Sequence, residues 1–417
     1  MKNLGLLRNQ WIHNFKRFLL ICFMVMFFFQ CQRSELNSTC DPESSSYLQT
    51  FVVLIGASEY THFCGASIRN PRIKIPRFIL VTNVGLSTAT SSINVYRVDP
   101  STGAIAQVFG SPFQLTNRPR YSVTNAAGTI VYVANIGNTS ISILNLNPET
   151  GNLSLKHPDL VLPSTPYSLA LDPNGKFLFA SSETTQQIHR LLIDTSGNIS
   201  SLTPVTSTAN PTAGAVGRMV FDSTGRHLYA GLTSAGGNTA GIQAFSLDST
   251  TGLLTSINVY QTGENNLSLA ITSDGKFVYG ANYFSQDVFP FLRDKNSGAL
   301  SILTNISAGI APGFTVTDPW NRFVYVANSG TAQGTISAYS IQPISGTLIP
   351  VSGSPFLSGF SPIGLSIDPS GKFLYSSNTE GGTVSGYSIG ANGSLSPMEG
   401  FPVTAGTNPF SIEIVSY

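Results

Sequence analysis

The sequence predicts an all-β fold: one seven-bladed β-propeller of four-stranded antiparallel blades. Three observations carry this. A strand motif recurs seven times, ending at Asn83, Asn135, Ser182, Leu232, Asn282, Asn328 and Asn378, with spacings of 52, 47, 50, 50, 46 and 50 residues. Each copy is flanked by further short strands and turns, about 12 residues per strand, and four-stranded units at a period of 40–50 residues are the mark of propeller blades. The composition agrees. Ser, Thr, Tyr, Phe, Val and Ile are plentiful, and 39 glycines and 24 prolines are spread along 417 residues, which favours strands and many turns over helices.

The recurring strand reads PRFILVTN, GTIVYVAN, GKFLFASS, GRHLYAGL, GKFVYGAN, NRFVYVAN and GKFLYSSN. Before it stand a strand and a tight turn, as in YSLALDPNG and IGLSIDPSG. In the Asp-Pro-x-Gly form Asp caps the turn, Pro presets φ and Gly takes the left-handed position. After it come two strands joined by a second turn, as in SISILNLNPETGNLSL. The first copy has no convincing strand before it, and NPFSIEIVSY at the C-terminus has none after it. The C-terminal strand is therefore expected to complete the first blade beside residues 77–83, which closes the ring and leaves no open inner edge. The Asn that ends five of the seven copies reads as a strand terminator, because its side chain bonds nearby backbone and tolerates left-handed φ.

The N-terminus has a different character. Lys2, Arg8, Lys16 and Arg17 precede twelve apolar residues at 18–29, too short for a bilayer-spanning helix and suited to a signal peptide. Phe28, three before Cys31, gives a loose lipobox-like pattern that makes Cys31 the expected lipid-bearing residue. The domains then read as a leader at 1–31, a polar tether and extension at 32–76, and the propeller at 77–417. The second part contains a segment at 48–76 that is either an added edge strand or a flap. The expected location is the bacterial cell envelope, on the membrane through the lipid anchor alone. Cys40 and Cys64 would form a disulfide in that oxidising compartment or remain two thiols. With 22 basic and 21 acidic residues and no basic run, nucleic acid is not an expected partner. No Cys/His cluster at metal spacing occurs, so neither a metal nor another cofactor is expected.

The YVAN-type repeat, the DPxG and TG turns and the seven-blade count resemble the lactonase family of seven-bladed propellers, which includes a bacterial 6-phosphogluconolactonase, and the related YVTN-repeat surface proteins. The resemblance covers about residues 77–417. It implies a site at the channel mouth, with an Arg-His pair where an innermost strand begins, a further His in matching blades and a Glu after a repeated strand. Arg218 and Arg120 match the Arg, but Met219 and Tyr121 stand in place of the His, and Tyr167 stands where another His is expected. The Glu column holds Thr233 in the blade of Arg218, and Glu183 after FASS. Lactone hydrolysis needs a base to activate water and a cation to hold the carbonyl oxygen. Arg120 and Arg218 are the expected cations and Glu183 the expected base of such an enzyme.

None of the five histidines falls at a channel-mouth position, and His227, inside a recurring strand, reads as a packed or edge residue. The sequence therefore favours a monomeric binding module, in which Tyr121, Tyr167 and Met219 would line a site for a protein, a carbohydrate or another small molecule. The alternative is a lactone hydrolase. The Gly-rich run at 231–240 reads as a contact loop or a tolerated insertion.

Overall fold

The computed structural model describes residues 60–63, 66–69, 74–182, 184–185, 187–202, 205–206, 213–234, 241–330 and 333–417. The chain divides into two units, Met1–Lys74 and Ile75–Tyr417. In the first, Tyr60–Phe63 pairs antiparallel with Ala66–Arg69 as a two-stranded sheet. Cys31, Cys40 and Cys64, the leader and the tether lie outside the described residues. No helix among the described residues is long and apolar enough to cross a membrane.

The second unit is the predicted propeller. Seven antiparallel sheets follow one another, each ordered innermost, second, third and outermost strand. The recurring motif is the second strand throughout. Blade 1 is closed as the sequence implied: Pro409–Ser416 pairs antiparallel with Pro76–Asn83, from Pro76 opposite Ser416 to Asn83 opposite Pro409. The outermost strand departs from a simple four-strand count. In blades 1, 3, 5, 6 and 7 it is broken into two short pieces that both pair with the third strand. In blades 1, 6 and 7 the break carries Pro112, Pro355 and Pro402, residues that cannot donate to a ladder.

Each column of the repeat has a physical task. In the turn between innermost and second strands, the acceptor is Asp172, Asp222, Thr272, Asp318 or Asp368. It takes the backbone N–H five residues on, at 2.6, 3.1, 3.0, 2.9 and 2.7 Å. The Tyr of the recurring strand, present in five of the seven blades, ties its blade to the next. The hydroxyls of Tyr132, Tyr229, Tyr279, Tyr325 and Tyr375 donate to the carbonyls of Gly197, Gly298, Gly346, Gly393 and Gly103. The last of these joins blade 7 to blade 1. These acceptors belong to the TG-type turn between third and outermost strands, whose glycines all have φ between 73° and 85°. They also lie flat on the first residue of the previous blade's second strand. A Cβ on Gly346 would stand 2.3 Å from Phe277, and one on Gly103 2.5 Å from Phe373. The same contact recurs around the ring, so the Phe of GKF and the Gly of TG are two halves of one interblade joint. Burying each such Phe contributes about 1.5–3 kcal/mol. His227 takes the Phe position in blade 4, where it is buried against Gly298. It also meets Arg293 Nη2 at 2.8 Å, and Arg293 in turn pairs with Asp222 at 2.5 Å. Of the packed and edge roles open to His227, the packed one is found.

The terminal Asn is structural as well. Asn328 Nδ2 donates to Thr335 and Ser337 across the next turn, at 3.1 and 3.0 Å, while its Oδ1 accepts from Gly309 N–H. Asn83, Asn135 and Asn378 bridge the same two positions of their own blades.

Candidate functional site

The innermost strands start at a common register. Pro119, Pro166, Val216, Asn266, Pro312, Pro362 and Pro409 each stand opposite the end of their second strand. Counting from that position, Arg120, Tyr167 and Phe410 occupy the next one in blades 2, 3 and 1. Tyr121, Arg218 and Phe314 occupy the one after it in blades 2, 4 and 6. This corrects the sequence alignment, which put Arg120 and Arg218 in one column. The inner strand of blade 4, Ala213–Phe221, starts early and carries register shifts between Ala213 and Met219. The other blades shift at the same place, and Arg218, four residues before Asp222 as Tyr121 is before Asn125, sits one residue deeper than Arg120, level with Tyr121.

The deeper level is filled. Arg218 Nε donates to the Tyr121 hydroxyl at 3.0 Å, from blade 4 to blade 2. Its Nη1 donates to the carbonyls of Thr315 and Leu269 at 3.0 and 3.3 Å, and the guanidinium lies 4.0 Å from the Phe314 ring centre. Large side chains thus come from blades 2, 4 and 6. The intervening positions hold Ser168, Ser268, Gly364 and Ser411. Alternation of large and small lets three side chains meet on the axis without overlap. The channel is plugged at this level, so the loop-face end is a cup with a floor. Above the floor, Arg120 lies between two aromatic faces, 4.3 Å from Tyr167 and 4.7 Å from Phe410. Its backbone carbonyl accepts from Thr82 of blade 1.

The structure therefore brings Arg218 and Tyr121 into contact, and Arg120 with Tyr167. It places Met219 elsewhere: this side chain is 3% exposed and packs with Val216, Ala230 and Phe179 in the interblade core, so it presents no surface to a ligand. Adjacent residues of a strand face opposite ways, and Arg218 has taken the channel side. Glu183 lies outside the described residues. Thr233 is half-buried. His189 is buried, its Nε2 2.6 Å from Ser164 Oγ. In blades 5 and 7 Thr262 and Ser358, four residues before the register position, bond the terminal Asn, and Leu162 stands at that place in blade 3. In blade 3 that Asn is Ser182, and His189 fills its place. Burial holds the His189 pKa below its ordinary value, which keeps this packing group neutral.

Two groups were passed over in the sequence. Asp159, on the outermost strand of blade 2, gathers Asn117, Asn138, Ser140 and Ser142 into one polar network. Glu413 lies below the plug, where its carboxylate accepts from Thr124 N–H at 2.7 Å and Ser122 Oγ at 3.1 Å. Burial pushes its pKa above the usual carboxylate range, against the opposing effect of these hydrogen bonds. Aligning the inner strands would have found it. The equivalent positions are Val123, Ala170, Val220, Ala270, Val316 and Ser366, and only blade 1 carries an acid there.

The family model for the seven-bladed lactonase β-propeller matches residues 66–166, 123–213, 177–291 and 284–409. The chain belongs to that family. Solved structures of like shape include a candidate 6-phosphogluconolactonase of Bacteroides fragilis (20% identity, TM-score 0.70), aligned over 82% of this chain and 98% of that one. A second is a periplasmic gluconolactonase of Pseudomonas aeruginosa (18% identity, TM-score 0.68), aligned over 81% and 98%. At these identities the likeness establishes the fold and leaves the activity to the site. No curated protein matches the sequence.

Proposed function

We propose that this lactonase-family propeller hydrolyses a lactone in the cup at the loop-face end of its channel. The observation that carries the reading is the guanidinium of Arg218, fixed on the cup floor by Tyr121, Thr315, Leu269 and Phe314. A cation held before the reaction starts lowers the cost of the negative charge that develops on a lactone carbonyl oxygen. In this reading water adds to the carbonyl carbon while a carboxylate takes its proton. The ring C–O bond then breaks, and the proton passes to the departing alkoxide. Glu183 is the assigned base, with Arg120 as a second positive charge at the rim. The test is turnover of a panel of sugar and acyl-homoserine lactones. Arg218→Ala is expected to lower kcat about 100-fold, and Glu183→Ala to act in the same direction. Absence of turnover by the native protein, or turnover that survives both changes, would overturn this assignment.

A second reading, a loop-face binding module, is supported by the histidines. His189 and His227 are packing groups, and His157 lies on an outermost strand, so among the described residues of the propeller unit no imidazole serves the cup. Saturable ligand binding without turnover would favour it. We further propose export and anchoring through lipid on Cys31. Metabolic labelling with palmitate, lost on Cys31→Ala, is the expected result.

A further inference from the structure

A groove between blades 6 and 7, separate from the channel, encloses about 440 Å³, within the range of small-ligand sites. Phe360, on the segment joining the two blades, forms one rim. Tyr387, Phe401 and Pro397 of blade 7 supply further apolar wall, and Thr383 and Ser385 of its third strand supply hydroxyls. The residues lining the groove include no Asp, Glu, Lys, Arg or His.

The repeat shows that this groove is not a by-product of blade construction. In blades 1 and 6 the residue before the outer-chain proline is Ser111 or Ser354. Its hydroxyl accepts the third-strand N–H of Val95 or Ala338, at 2.9 and 2.8 Å. Blade 7 changes both partners. Phe401 replaces the serine, and Gly386 replaces Val95 or Ala338. A Cβ at Gly386 would stand 2.7 Å from the Phe401 ring, so the missing side chain is what admits the ring. A feature present in every blade serves the blade. A paired departure that gives up a hydrogen-bonding hydroxyl and installs an aromatic wall points to a local task.

We infer that the groove binds a neutral saccharide. A sugar ring has an apolar C–H face and a rim of hydroxyls, and it carries no charge. Phe360 and Phe401 offer ring surface to the face, while Tyr387, buried and bonded to the Leu357 carbonyl, backs the wall. The Asn378 amide donates to the oxygens of both Thr383 and Ser385, at 3.0 and 2.9 Å. The Thr383 hydroxyl therefore keeps its own proton to donate, a match for a sugar oxygen, whereas the buried Ser385 hydroxyl meets Tyr387. With no cation in the lining, phosphates and carboxylates have no counter-charge there.

The experiment is calorimetric titration of the full chain with neutral disaccharides (maltose, cellobiose, lactose and chitobiose). Saturable binding is expected, weakened at least about tenfold by Phe360→Ala. Phe360 is 53% exposed, so the variant should melt like the native protein. Gly386→Ala, which drives Phe401 from its seat, should weaken binding in the same way. No saturable binding of any of these sugars, binding that survives Phe360→Ala, or preference for a polyproline peptide would each overturn the inference. Phe360 is remote in sequence and role from Arg218, so lactone turnover is expected unchanged in Phe360→Ala. The two assignments can therefore fail separately.

Discussion

Removing one hydroxyl from the seam between the last blade and the first tests how the ring is held. Tyr375 is fully buried, and its hydroxyl donates to the Gly103 carbonyl at 2.7 Å. Tyr375→Phe keeps the ring, and the fold already accepts Phe at this column, since Phe179 occupies it in blade 3. No cavity larger than one oxygen is left. The cost is then the lost hydrogen bond, about 0.5–1.5 kcal/mol net, plus part of the penalty for stranding the buried Gly103 carbonyl, about 1–3 kcal/mol. A destabilisation of about 1–2 kcal/mol is expected. It should appear in urea unfolding as a lower midpoint with an unchanged m-value. Tyr325→Phe, which removes the equivalent bond between blades 6 and 7, should cost the same. Tyr283→Phe, on a loop where the hydroxyl bonds nothing among the described residues, should stay within about 0.5 kcal/mol. If Tyr375→Phe is no more costly than Tyr283→Phe, the tyrosine joints do not hold the blades and the reasoning fails.

Other outcomes follow from the same columns. Gly346→Ala, with φ at 75° and Phe277 2.3 Å from the new Cβ, should destabilise by more than about 2 kcal/mol. Gly175→Ala, with φ at 69° but nothing within 4 Å, should cost only the backbone strain of about 1–2 kcal/mol; equal losses in urea melts would refute the joint. Asn328→Ala removes three hydrogen bonds from a buried amide and should cost about 2–3 kcal/mol by the same measurement. Glu413 has a folded pKa raised by burial, so its contribution is present below about pH 4.3 and is lost as pH rises through the folded value. Glu413→Gln keeps an acceptor for Thr124 N–H and should be more stable than the native protein at about pH 8 but not at about pH 4. A difference independent of pH would show that the carboxylate's charge is not the cause. Asp222 runs the other way. Burial raises its pKa but is outweighed by hydrogen bonds from Thr224 and His227 N–H and by Arg293, so the net shift is downward. That stabilisation is lost only as pH falls below the usual aspartate range, which acid melts of Asp222→Asn against the native chain would show.

Blade count, register and closure could be read from the sequence because each is written locally and repeatedly. A turn needs its Asp and Gly within a few residues, and a strand its alternation, so seven copies report the same geometry seven times. That Asn83 and its counterparts serve the blade was legible for the same reason, but not how: their amides donate to third-strand side chains, not to nearby backbone, and none has a left-handed φ. What only the tertiary structure decided is what happens where blades meet. The one-residue offset between Arg120 and Arg218 could be counted back from the turn, five residues to Asn125 against four to Asp222, but not what each of the two levels meets across the axis. Met219 turns into the core because its neighbour took the channel side. The plug of Tyr121, Arg218 and Phe314 joins residues about 100 positions apart, and Glu413 met Ser122 and Thr124 only after the C-terminus returned to the first blade. The sequence determines a blade through short-range pairing, whereas the channel is made by one residue from each blade. Its contents are set by distances across the axis that no local pattern records.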